Sequence, residues 1–290
     1  MVFDKFLKKG RKEEAEGLVV GIGTDIAERI KVGLAERREY RRDEDLEILA
    51  TADNNDLQIL VEYLTKNKNG EKRINGELTS LDKYKSDPNN PRNYWQEIAR
   101  ELQLYGSNTL VAAFRGKGVP YRKILCDVCD KMKVNYSKAS DIGVMELNLL
   151  EKILTDAIEK MSDEGLKEFV NMLNLNVDSY SLTSVIGTIR TEIMKGGEFA
   201  LEISRMLAYE TAQSTLPTST IPTLATVGAL AGGFAISRGI ASFLAGPIGV
   251  ALATVWTAVD AAGPAYRITV PCVIQIAYIR IKAQHQNNNR

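Results

Sequence analysis

Apolar residues return at helical spacing along most of the chain. Leu57, Leu60, Val61 and Leu64 form one stripe, and Trp95, Ile98, Ala99, Leu102 and Tyr105 form a stronger one. Three more follow: Ile124, Leu125, Val128 and Met132; Leu147, Leu150, Ile153, Leu154 and Ile158; then Leu166, Phe169, Val170 and Leu173. Helix starts are marked between them. Asp53-Asn54-Asn55 and Ser162-Asp163-Glu164 supply capping side chains, and Pro120 suits a first turn. Lys83–Arg92 reads as a loop from its prolines and asparagines. Upstream, Leu18–Leu34 carries its own stripe, Glu36–Asp45 is a solvated mixed-charge run, and Val2–Lys9 is a short amphipathic arm. Ser107–Phe114 predicts a short helix, and Val185–Tyr209 a helix interrupted at Gly196-Gly197. Ile268–Ile281 is rich in β-branched residues but has no evident partner strand, so it is read as a buried helix after Pro271. No strand–helix alternation appears anywhere. The expected class is all-α.

One stretch breaks the amphipathic rhythm. Thr211–Ile279 holds only three charges, Arg238, Asp260 and Arg267, whereas 26% of the whole chain is charged. Inside it, Thr211–Ser237 and Gly239–Val259 are uncharged runs of 27 and 21 residues. About 20 apolar residues suffice to cross the hydrocarbon core of a bilayer, but these runs are diluted with Gly, Ala, Ser and Thr. Gly228, Gly232, Ala235 and Gly239 recur at spacings of three or four, which puts small residues on one helical face and lets backbones approach. The pattern predicts a hairpin of two close helices turning near Ser237–Gly239. Two readings stay open: a hairpin that inserts into a membrane, or one buried as the core of a helical protein, since a helix apolar all round suits either.

The expected architecture is therefore a multi-helix domain wrapped around a Gly/Ala-rich apolar C-terminal helical hairpin. Its parts are an N-terminal arm (1–44), a helical domain (45–175), an apolar C-terminal region (185–283) and a disordered tail (284–290). Net formal charge is zero, so no global field recruits nucleic acid, and none is expected as a partner. Three cysteines make no disulfide framework, and the N-terminus lacks the apolar core of a signal peptide, which fits a cytoplasmic protein.

Little catalytic apparatus is visible. With a single histidine, in a polar tail, neither a Ser/His/Asp nor a Cys/His arrangement is available. Cys126 and Cys129 form a Cys-x-x-Cys, but only Cys272 and His285 remain to complete a zinc site, so a structural role is favoured over metal or redox chemistry. Gly21 and Gly23 lack the lysine and third glycine of a phosphate loop. No enzyme activity, metal or cofactor is expected. Candidate membrane-contact residues are Phe3 and Phe6 in the arm and Leu230, Phe234, Arg238, Phe243, Leu244 and Trp256 in the hairpin. A candidate headgroup or partner patch comprises Arg92, Trp95, Arg115, Lys117, Tyr121, Arg122 and Lys123, against which stands the plainer reading of a solvated rim.

Two strings carry a family likeness. Asn93–Val134 (NYWQEIARELQLYGSNTLVAAFRGKGVPYRKILCDVCDKMKV), continued by LLEKILTDAIEKMSDEG, resembles the YaaW-like bacterial proteins, as does Ala245–Arg280 (AGPIGVALATVWTAVDAAGPAYRITVPCVIQIAYIR). The resemblance spans most of Asp45–Arg280. It implies a helical part similar to the ubiquinol-cytochrome c chaperone domain, hence a binding module. One branch, JukA, is the sensor of an antiphage system against jumbo phages; that resemblance implies recognition of a phage-derived lipid vesicle and recruitment of an effector protein. A soluble helical chaperone or adaptor is the alternative, and self-association through the small-residue face stays open.

Overall fold

A computed structural model describes residues 40–73, 77–106, 118–217, 253, 255–257, 259 and 265–289. Among these, every regular element is helical, and the one backbone bridge is an isolated antiparallel pair, Lys66 with Lys72. The helices are α1 (Asn54–Thr65), α2 (Asp82–Ser86), α3 (Trp95–Tyr105), α4 (Tyr121–Lys131), α5 (Ile142–Ile158), α6 (Asp163–Met172), α7 (Leu182–Lys195), α8 (Gly197–Thr215) and α9 (Tyr266–Asn288). Short 3-10 segments at Glu44–Thr51, Leu78–Ser80 and Pro91–Tyr94 join them. The all-α class is as the periodicity indicated. The arm's Phe3 and Phe6, the short helix expected at Ser107–Phe114 and nearly all of the expected hairpin lie outside the described residues.

The stripes become the core almost residue for residue. Ile98, Ala99 and Leu102 of α3, Ile124, Leu125 and Val128 of α4, and Leu166, Phe169 and Val170 of α6 are buried. Leu150, Ile153, Leu154 and Ile158 of α5 join them, with Leu147 half-buried at the edge. Each such side chain contributes roughly 1.5–3 kcal/mol by leaving water. Capping works as expected at Ser162, whose hydroxyl accepts from the Gly165 N–H, and Asp141 and Ser181 do the same for α5 and α7. Between α7 and α8, Gly196 and Gly197 both have positive φ (72° and 71°) with open space where a Cβ would stand. Glycine is needed there for backbone conformation, not for room.

The helix that organises the molecule is α9. It runs against α8 along most of its length and also meets α1, α4, α5 and the Glu44–Thr51 turn. Its Val270, Cys272, Val273, Ile274, Ile276 and Ala277 are fully buried, so it is apolar on all sides through its middle. The regions 45–175 and 185–283 thus share one core along this helix. Two local expectations change. The helix begins at Tyr266, before Pro271, which it carries in its second turn despite the lost hydrogen bond. The tail expected to be disordered from Gln284 instead continues the helix to Asn288, because a helix already nucleated by buried turns extends at little cost.

Asp53 was expected to cap α1. It stands at the N-cap but makes no side-chain cap bond; its carboxylate accepts from Lys282 Nζ of α9 at 2.7 Å. A long-range charge has displaced a local one.

Candidate functional site

The chain reverses after α1 and returns on itself. Asn67 Oδ1 accepts from the N–H groups of Asn69 and Glu71 (3.0 Å each), Gly70 takes the left-handed conformation the turn needs, and the Arg73 N–H reaches the Thr65 carbonyl at 2.8 Å. This sets Arg73 beside the end of α1. Its Nε donates to the Tyr63 carbonyl (3.1 Å), which fixes the plane of the guanidinium.

Arg73 lines a cavity of about 460 Å³, together with Lys68 of the turn, Ser214 and Thr215 at the end of α8, Trp256 and Thr257, and Arg267 in the first turn of α9. Six of its lining residues, Ser214, Thr215, Ala253, Trp256, Thr257 and Arg267, lie within the charge-poor stretch Thr211–Ile279. Three cations, three hydroxyls and the side chains of Asn67 and Asn69 face the cavity, and no carboxylate is among its described lining residues. Burial holds Arg73 below the usual guanidinium range, and the charge of Arg267 pushes it the same way. Arginine stays charged regardless. Among the described residues no carboxylate pairs with Arg73. Trp256 is 6% exposed, and its indole N–H has no hydrogen-bond partner among the described residues.

A second charged cluster lies toward the other end of α9. Arg280 Nε donates to Glu146 Oε2 (2.8 Å), and the Tyr121 hydroxyl donates to Glu146 Oε1 (2.7 Å). Arg280 also reaches the Asp45 carbonyl at 2.6 Å. Lys282 Nζ bridges Asp53 and Asp56, each at 2.7 Å. Glu146, Asp56 and Lys282 are buried, and burial pushes both carboxyls above their usual range, against the pull of their cationic partners. These cations are neutralised inside the fold.

The sequence-picked patch fares unevenly. Tyr121 leaves it altogether: it is fully buried, its hydroxyl on Glu146 and its N–H on Asp43 Oδ2 at 2.6 Å. Trp95 is half-buried, edge-on to Tyr40 with ring centroids 5.6 Å apart. Arg122 donates to the Ser140 carbonyl (2.8 Å), and Lys123 pairs with Asp127 one turn away. Arg92 is exposed, its backbone N–H held by Asn54 Oδ1. Arg115 and Lys117 lie outside the described residues, as do Leu230, Phe234, Arg238, Phe243 and Leu244. Trp256, expected at a membrane face, is buried and lines the cavity. Cys126 and Cys129 are buried free thiols, and burial pushes Cys129 up to about 12, far from a reactive thiolate. Among the described residues no group of three or more metal-ligating side chains gathers.

Lys68, Arg73, Thr257 and the α8 hydroxyls escaped the sequence reading, because nothing local joins them. Arg267 alone left a trace, as an isolated charge in an apolar stretch.

Comparison with known proteins gives relatives over most of the chain. A UPF0174 protein of Helicobacter pylori strain J99 is 39% identical over 252 residues, covering 87% of this chain and 96% of the relative. A UPF0174 protein of H. pylori strain 26695 is 35% identical over 210 residues, 72% of this chain and 98% of its own length. The UPF0174 protein YaaW of Escherichia coli K12 is 31% identical over 244 residues, 83% and 95% of the two chains. Residues 40–74, which contain α1, Lys68 and Arg73, match a domain of unknown function, DUF3944. No solved structure matches.

Proposed function

This chain belongs to the UPF0174 family, and from that premise we propose that it is a non-enzymatic protein that recognises a lipid membrane from the cytosolic side. The observation that carries the reading is the position of the cation-lined cavity, with Thr215 in the first uncharged run of the charge-poor stretch, Trp256 in the second and Arg267 just beyond it. A basic mouth at the root of an apolar stretch is what an anionic bilayer surface would meet first, with electrostatic attraction and apolar burial adding to one another. Among the described residues no helix is long and apolar enough to cross a membrane. The candidate for apolar engagement is the charge-poor segment Ile221–Val259. The likeness to the JukA branch extends the reading: the membrane is that of a phage-derived vesicle, the role is a sensor in antiphage defence, and residues 45–173 dock an effector protein.

Liposome flotation of the purified full chain tests this, with anionic and neutral vesicles at two salt concentrations. Flotation that survives high salt supports apolar engagement. Flotation abolished by salt leaves a basic surface contact only. A chain that stays at the bottom with every lipid overturns the membrane reading and leaves the helical chaperone or adaptor reading in its place.

A further inference from the structure

We propose that the face of the molecule where α1, α4 and α8 end and α9 begins is a docking surface for an anionic bilayer, with Lys68 and Lys72 on one side of it and Lys131 and Lys133 on the other. The proposal rests on the membrane reading and adds to it the face that lies against the lipid and the charge of the lipid it takes.

The continuous run of described residues that ends α8 stops at Pro217, and the one that begins α9 starts at Ala265. By sequence, 218–264 between them holds only two charges, Arg238 and Asp260. Each of these two points has a basic segment against it. Gly70 lies against Pro217, where a Cβ on the glycine would stand 3.4 Å from the proline Cγ, and the turn 66–73 around it carries four cations and one carboxylate. Lys131 Nζ lies over the Tyr266 ring, 5.6 Å from its centroid, and the segment 130–138 carries three cations and one carboxylate. Lys66 pairs with Glu62, but Lys68, Lys72, Lys131 and Lys133 are exposed, and none of the four enters an ion pair among the described residues. Lys131 has a local use, since a cation in the last turn meets the negative end of the helix dipole. Lys133 stands past the end of α4 in the left-handed conformation (φ 56°), with the Val134 N–H closing onto the Cys129 carbonyl at 2.9 Å. The same closure after α6, from the Leu175 N–H to the Val170 carbonyl, places Asn174 there (φ 49°), and glycine or asparagine is the ordinary residue at this position. A lysine is the costlier backbone choice, and its charge is left facing water. Each lysine held at an anionic surface strengthens association about fivefold, and apolar burial next to it adds to the effect. At the opposite end of α9, Arg280 and Lys282 are tied to Glu146, Asp53 and Asp56 instead.

The test is flotation of the full chain at low salt with vesicles of phosphatidylcholine alone or mixed with phosphatidylglycerol. The wild-type chain should float with the mixed vesicles. Lys131→Gln/Lys133→Gln and Lys68→Gln/Lys72→Gln should each weaken that partitioning by about tenfold or more, and raised salt should narrow the difference. Arg92→Gln/Lys123→Gln removes as many exposed cations near the start of α1 and in the first turn of α4, and should change nothing. All these lysines are exposed, so thermal unfolding should be unaltered, and either pair carries the test if the other fails to fold. A wild-type chain that floats while both pairs keep its partitioning overturns the surface and leaves the membrane reading standing, as does equal flotation with neutral and mixed vesicles. A chain that floats with no vesicle overturns both. If heparin binds the wild type, with the same losses in the two pairs, while no vesicle does, the surface takes an acidic macromolecule and the bilayer assignment falls.

Discussion

The two ends of α9 carry the same kind of charge and treat it in opposite ways. Toward its C-terminal end, Arg280 and Lys282 reach back to Glu146, Asp53 and Asp56, and the cations are closed into the fold. At its N-terminal end, Arg267 faces a cavity with Arg73 and Lys68, where none of the described lining residues is acidic. Desolvating a charge is costly, and Lys282 and its partner Asp56 are both buried. Where carboxylates balance the cations, the cluster fastens α9 to α1 and α5, so its role is structural. At the other end the described lining holds cations and hydroxyls, and Lys68 and Arg267 stay exposed to water.

The largest effect should come from breaking the balanced end. Lys282→Met leaves Asp56 buried without its cation and should cost about 3–5 kcal/mol. For a chain of this size that lowers the midpoint of thermal unfolding by roughly 10 °C. Adding Asp56→Leu should restore much of the loss, because a buried ion pair replaced on both sides is often neutral. A double variant no better than the single would mean the cluster is not the fastening described here.

Next in size is a pH effect from carboxyls that burial pushes up. Glu101, which accepts from the Glu77 N–H at 2.8 Å, and Glu210, whose Oε1 has no partner among the described residues, are both raised from 4.5 to about 7. A group that binds its proton more tightly when folded stabilises the fold fully below its unfolded value and loses that contribution as pH rises through about 7. Unfolding monitored by circular dichroism should therefore show greater stability at pH 5.5 than at pH 8, by on the order of 1–2 kcal/mol per group. The pair Glu101→Gln and Glu210→Gln should flatten the profile; a profile that keeps its slope in that variant assigns it to other groups.

Smaller still should be the response at the cavity end. Lys68→Gln and Arg267→Gln should change stability by no more than about 0.5 kcal/mol, since each removes an exposed cation. A loss of several kcal/mol in either would make the cavity a structural cluster like its counterpart and erase the contrast. Smallest of all is Lys123→Ala, which removes an exposed ion pair with Asp127; it should leave the melting curve within about 0.5 kcal/mol and vesicle association unchanged.

Some of what the structure corrected was already legible. Tyr121 was grouped with Arg122 and Lys123 as a surface patch, yet Tyr121, Ile124, Leu125 and Val128 stand at one helical spacing, and all four are buried. Its place on that stripe was the better guide than its basic neighbours. The continuation of α9 through His285 was less visible, because a polar run gives no periodic signal once its buried face has ended. Arg73 gave no signal at all. It lies in a polar turn after α1, and only the reversal held by Asn67 and Gly70 returns it to the end of that helix.

The sequence by itself determined the helices, their inward faces and several of their caps, because these depend on residues three, four or seven apart and on side chains beside the helix end. It also marked the charge-poor stretch, a matter of composition. Only the tertiary structure decided which charges meet. Lys282 finds Asp56 across 226 residues, and Arg73 and Arg267 come to one cavity because α9 packs beside α1 and α8. Coulomb energy depends on distance in space and on the surrounding dielectric, and neither exists until the helices have packed.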